Sequence, residues 1–193
     1  MATTRCTAFA GNRMIAGGEL RHVAMKAKQA RDADPSLEVR IFEDRSGRQI
    51  DLPLEASEAA LLRVLAGAAP VTADGEAPAP RRPGRPRLGV VAREVTLLPR
   101  HWDWLGAQPG GASVALRRLV DEARRSHATS DARRAARDAA YRFMHAIAGD
   151  APGYEAATRA LFAGDRDGFE ESLSAWPEDV AAHATMLAAH AFD

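Results

Sequence analysis

The stretch GAAPVTADGEAPAPRRPGRPRLGVV, residues 67–91, limits every fold this chain can adopt. Its apolar residues follow neither the 3.6-residue spacing of a helix nor the alternation of a strand. Its prolines remove backbone donors and favour extended, semi-rigid polyproline-like geometry. Residues 67–92 are therefore read as a linker, and the segments on either side are read separately. The second half of this linker turns abruptly basic.

Residues 1–66 read as a small α+β domain of ββαββα order. CTAFAG and MIAGG are two short β-like pieces around the Gly11-Asn12 turn signal, and ELRHVAMKAKQARDAD has helical spacing through Leu20, Val23, Ala24 and Ala27. LEVRIFED alternates Leu37, Val39 and Ile41 with polar residues and connects through Arg45-Ser46-Gly47 to RQIDLPL, as a β-hairpin would. SEAALLRVLAG then predicts a helix capped by Ser57 and stopped by Gly67.

Residues 127–193 read as a C-terminal helical domain. Ala136, Ala139, Ala140, Phe143, Met144 and Ile147 form one stripe of a helix that Ser130 would cap and Gly149 would stop. Three shorter helices follow, punctuated by Gly164, Asp165 and Pro177.

Between linker and C-terminal helices, residues 93–126 alternate Val95 and Leu97 with Glu94 and Thr96, as a half-buried strand does. Pro99 suits the first turn of a helix that carries Trp102 and Leu105 on one face. The PGG at 109–111 breaks it. Ser113 would cap a second helix, whose apolar side runs through Val114, Leu116, Leu119, Val120 and Ala123. A strand-helix-helix this small cannot bury its own apolar faces, so a second copy is expected to cover them.

Charge separates along the chain. The total is balanced at 26 basic and 26 acidic residues, but residues 81–125 hold 10 basic against 4 acidic, a net +6, and residues 126–193 hold 6 against 11, a net −5. All ten central cations are arginines, whose planar forks suit phosphate oxygens and guanine edges. A neutral protein thus contains a local basic site.

Catalytic patterns are missing: there is no G-x-S-x-G elbow, no G-x-x-x-x-G-K phosphate cradle and no H-E-x-x-H. The six histidines, His22, His101, His127, His145, His183 and His190, show no metal-ligand spacing and read as ordinary surface or interface residues. DRDGFEE lacks the oxygen ligands of a calcium loop and reads as a helix start capped by Asp165. No enzyme, metal or cofactor is expected. One cysteine, Cys6, fits a reducing compartment, and neither a signal-peptide core nor a membrane-spanning run is visible, so a cytoplasmic location is expected.

Two local resemblances point to DNA. RRPGRPRLG, with Arg82, Arg85 and Arg87 around a Gly-Arg-Pro core, resembles an AT-hook. Such a peptide lies in the narrow minor groove of A·T-rich duplex, where arginines meet an enhanced negative potential. The order and spacing of residues 93–125 resemble a ribbon-helix-helix domain, with ASVALRRLVDEA nearest to that family's second helix. The resemblance implies a homodimer whose core is Val95, Leu97, Trp102, Leu105, Leu116 and Leu119, and whose β-ribbon enters the major groove. It also implies that Arg93 and Thr96 face DNA and that Ser113 meets phosphate at the start of the second helix. Glu94 shares the outward side and repels phosphate, so Arg93, Arg100 and Arg117 are expected to supply backbone contacts rather than base readout. Over most of its length, through CTAFAGNRMIAGG and GRPRLGVVAREVTLLPRHWDWLGAQPGGASVALRRLVDEAR, the chain is similar to the uncharacterised bacterial domain-of-unknown-function family 2239, which implies no activity.

The expectation is a non-catalytic, dimeric, DNA-binding transcriptional regulator of bacteria. The alternative is an assembly protein that uses the same module only to pair with itself.

Overall fold

A computed structural model of the chain describes residues 4–67 and 93–193. In chain order the elements are β1 (Arg5–Ala10), β2 (Arg13–Glu19), α1 (Leu20–Ala33), β3 (Val39–Glu43), α2 (Glu58–Leu65), α3 (Pro99–Gly106), α4 (Gly111–Ser126), α5 (Ala128–Ala148), α6 (Tyr154–Ala163), α7 (Arg166–Leu173) and α8 (Glu178–Ala188), followed by a short 3-10 turn at Ala189–Ala191. The class is mixed α and β. No helix among the described residues is long and apolar enough to cross a membrane.

Two compact units emerge: Met1–Pro70 joined with Thr129–Asp193, and Val71–Ala128. The sequence reading treats 1–66 and 127–193 as separate domains, whereas the structure gathers those two segments into one body. The reason lies in β1. It is the central strand of an antiparallel sheet ordered β2-β1-β3, and its last five residues are buried. Alternation sends Cys6 and Ala8 to one face, where they pack with Val23, Ala27 and Ile41. Phe9 faces the other way and, with Phe42, joins the core built by α5 to α8. Covered on both sides, the sheet needs the C-terminal helices as its second layer.

The rings at that junction interlock. Phe9 lies 5.3 Å from Phe143 and Phe42 lies 5.0 Å from Phe143, the latter nearly edge to face. Such pairs add about 0.5–1.5 kcal/mol each beyond the apolar area they bury. Polar ties cross the same junction. The Met14 amide donates to Asp179 in the first turn of α8 at 2.8 Å, Arg142 donates to the Ser46 carbonyl at 2.9 Å, and Arg40 donates to the Ala146 carbonyl.

Local details both match and correct the sequence reading. The hairpin β1–β2 closes at Gly11, whose φ is +55°, and Ser57 caps α2 by accepting from the Ala60 amide. Asp165 caps α7 by accepting from the Gly168 amide. RQIDLPL is not a strand: the Glu43 amide bonds to Arg48 O, the Ile50 amide bonds to Ile41 O, and pairing goes no further than an isolated bridge from Phe42 to Gln49. Pro53 has no amide to donate, and the Leu54 amide turns back to Leu52 O instead. The order is therefore ββαβα. Helix α5 begins at Ala128, so Ser130 sits inside its first turn rather than capping it, and Ile147 is half-buried while Ala148 is buried in the core.

His183 departs furthest from expectation. Instead of a surface or interface residue it is a core histidine, 6% exposed, set edge-on to Phe143 at 4.6 Å and Phe9 at 5.4 Å. Its Nε2 is buried without a hydrogen-bond partner, and burial holds its pKa below the usual histidine value. A neutral imidazole at this position behaves as a fourth aromatic ring of the junction.

Candidate nucleic-acid interface

The second unit is described from Arg93 to Ala128. Pro99 occupies the first turn of α3, where its missing amide is harmless, and Leu98 precedes it as N-cap. The break between helices depends on consecutive left-handed glycines, Gly110 at φ +84° and Gly111 at φ +75°. A side chain on Gly110 would lie only 3.1 Å from Val114, so the turn is also tight. Because Gly110 is the N-cap, α4 starts two residues before Ser113. Ser113 therefore lies in the first turn and makes no capping bond.

Residues 93–98 form no strand within the chain. A strand of this kind is defined by its partner, and in a ribbon that partner is the same strand of a second copy. Within the single chain only Leu105 and Ala115 of residues 93–126 are buried. Of the other residues expected in a dimer core, Leu97 and Leu116 are half-buried, while Val95, Trp102 and Leu119 are exposed at 57%, 42% and 39%. Trp104, Val114 and Val120 are exposed as well.

At about 100° per residue, Ala112, Ala115, Leu116, Leu119 and Ala123 fall within roughly a third of the circumference of α4. Ser113, Arg117 and Arg124 fall on the opposite side, and Arg118 and Arg125 lie between them and the apolar arc. All four arginines are exposed, and among the described residues none of them makes an ion pair. Arg93, Thr96 and Arg100 are exposed too, on the lead into α3 and in its first turn. No hydrogen bond joins any two of these candidate residues among those described. Arg82, Arg85 and Arg87, the AT-hook-like residues, lie outside the described residues. Arg118, Arg124 and Arg125 were not singled out from sequence, although the periodicity that assigns Arg117 to a polar face assigns Arg124 to it as well.

The first unit offers a different environment. A cavity of about 610 Å³ opens between the β1–β2 turn and the α5–α6 turn, bounded by Asn12, Arg40, His145, Asp150, Tyr154 and Pro177 among others. The Tyr154 hydroxyl lies 3.2 Å from His145 Nδ1, and burial raises the phenol pKa, which keeps it protonated. Burial likewise pushes the Cys6 thiol up to about 11, assisted by Asp44 and Glu43, so it is a poor nucleophile. Among the described residues no group of three or more His, Cys, Asp or Glu is gathered to hold a metal ion.

No curated protein and no solved structure matches the chain. Residues 5–188 match the model of the family described as "Uncharacterized protein conserved in bacteria (DUF2239)", and the chain belongs to that family.

Proposed function

We propose that this chain is a cytoplasmic DNA-binding protein, a bacterial transcriptional regulator, that pairs with a second copy through residues 93–126 and grips the phosphate backbone with its central arginines. The two-sidedness of α4 carries this reading. One side is an apolar arc on which Leu119 and Ala123 remain exposed for a second copy to cover, and the other holds exposed arginines that make no ion pair among the described residues. Arginines held on one rigid face suit phosphate oxygens, and each contact made releases counterions. The role is binding rather than catalysis, with the arginines of the linker as a second grip on A·T-rich duplex.

The test is fluorescence anisotropy on A·T-rich and G·C-rich duplexes across a salt series, with Arg117→Ala and Arg85→Ala/Arg87→Ala variants. Binding that weakens with salt is expected, and the log–log slope should become shallower by about 0.9 for each phosphate contact removed. No binding at low salt would refute the reading. The apolar arc would then serve assembly alone.

A further inference from the structure

Outside the module just described, the first unit carries a strip of arginines and rings along α5 and α6. Arg133, Arg137, Tyr141 and His145 recur every four residues along α5, and Tyr154 and Phe162 lie on α6 two turns apart. The contacts set these two rows side by side and antiparallel. A side chain on Gly164, just past the end of α6, would lie 3.6 Å from Arg137 Nη2; Tyr141 meets Phe162 edge-on at 5.7 Å; His145 meets Tyr154. Tyr141 also stacks on His145, with ring planes 16° apart. The strip from Arg133 to His145 is about 18 Å long at 1.5 Å per residue.

Its exposure and its charge both ask for an occupant. Tyr141 and Phe162 remain 37% and 49% exposed even though they touch each other. On α5 the two carboxylates are already engaged, Asp131 with Arg134 and Asp138 with Arg142. Among the described residues Arg133 and Arg137 have no carboxylate partner, and the Nε of each is buried with no acceptor. Two arginines that run on into exposed rings suit a single nucleic-acid strand: the phosphates need the guanidiniums and the bases need flat apolar faces.

We propose that the α5–α6 strip is a docking site for single-stranded nucleic acid, with bases stacking on Tyr141 and Phe162 and phosphates on Arg133 and Arg137. This site lies in the first unit and does not depend on duplex binding by residues 93–126. The experiment is anisotropy of the full chain with fluorescein-labelled oligo-dT at low salt, in parallel with a duplex titration. Tyr141→Ala/Phe162→Ala should weaken oligo-dT binding tenfold or more, and Arg133→Gln/Arg137→Gln at least fivefold. Tyr141→Phe, which keeps the ring, should bind within twofold of the unaltered protein, and duplex affinity should be unchanged in all three. Failure of the unaltered protein to bind oligo-dT, or oligo-dT binding unchanged in either double variant, would overturn the site. A failed duplex titration alone would count only against the reading of residues 93–126.

Discussion

Gly47, in the turn after β3, meets the backbone of α5, and replacing it with alanine should destabilise the first unit by about 2–5 kcal/mol. Two costs add. The residue holds φ at +64°, a left-handed conformation that costs an L side chain roughly 1–2 kcal/mol. A β-carbon there would also stand 1.9 Å from the carbonyl oxygen of Ala139 and 2.7 Å from its carbon. That carbonyl belongs to the middle of a helix whose neighbouring side chains are core residues, so it cannot swing aside cheaply. Forced overpacking of this kind costs about 1–3 kcal/mol more. Gly11→Ala is the internal control: its φ of +55° carries the conformational cost, but nothing lies within 4 Å of its β-carbon. Urea unfolding should be followed by Trp176 fluorescence in a Trp102→Phe/Trp104→Phe background, since Trp176 is buried and donates to the Pro152 carbonyl at 2.8 Å. With a slope of about 2 kcal/mol per molar, Gly47→Ala should lower the midpoint by roughly 1–2.5 M, clearly more than Gly11→Ala. Equal shifts for the two variants would refute the packing of the turn after β3 on α5.

Three further outcomes follow from burial and exposure. His183 has a folded pKa below its unfolded value near 6.5, so the unfolded chain binds more protons as the pH falls past 6.5 and stability is lost until the folded value is passed. Melting temperature should thus drop from pH 8 to pH 5.5, and His183→Leu should reduce the drop; an identical pH dependence in both proteins would exclude His183 as its source. Cys6, with its thiol raised to about 11, should resist a disulfide reagent at pH 8 in the native protein and react on unfolding in urea, whereas prompt native reaction would contradict its burial. Leu119→Asp puts a charge at an exposed position on the apolar arc of α4 and should shift light-scattering mass from dimer toward monomer; a dimer of undiminished stability would place self-association elsewhere.

Local pattern made most single elements readable. The alternation and turn at residues 5–19, the Ser57 and Asp165 caps and the apolar stripe of α5 each depend on residues within a few positions of one another. What escaped reading depends on distant partners. CTAFAG reads only as a short β-like piece until Phe42, Phe143 and His183 are brought around Phe9 from up to 174 residues further on. Its unbroken run of apolar and small side chains was the available sign of a strand covered on both faces. His183 could not be assigned to the core because the rings that surround it, Phe9 and Phe143, come from other elements of the fold. The α5 arginines escaped for a related reason: on sequence alone, paired Arg134 and unpaired Arg133 look alike.

The pairing of the chain's two ends also changes what a truncation means. Unit Val71–Ala128 is an insertion between two segments that share one core. Closing a long loop adds little cost with length, about 0.6 kcal/mol per doubling, so the first unit tolerates this insertion because its own contacts are sufficient. Separating the segments is a different matter. Residues 1–70 alone would expose Phe9 and Phe42, both fully buried in the whole chain, at about 1.5–3 kcal/mol each. That loss is comparable with the total stability of a small domain, about 5–15 kcal/mol. Residues 1–70 and residues 129–193 should therefore each give a poorly dispersed amide NMR spectrum alone and regain dispersion when mixed. A well-dispersed spectrum from 1–70 alone would mean that the sheet folds without the C-terminal helices, and the shared core would lose its role in stability.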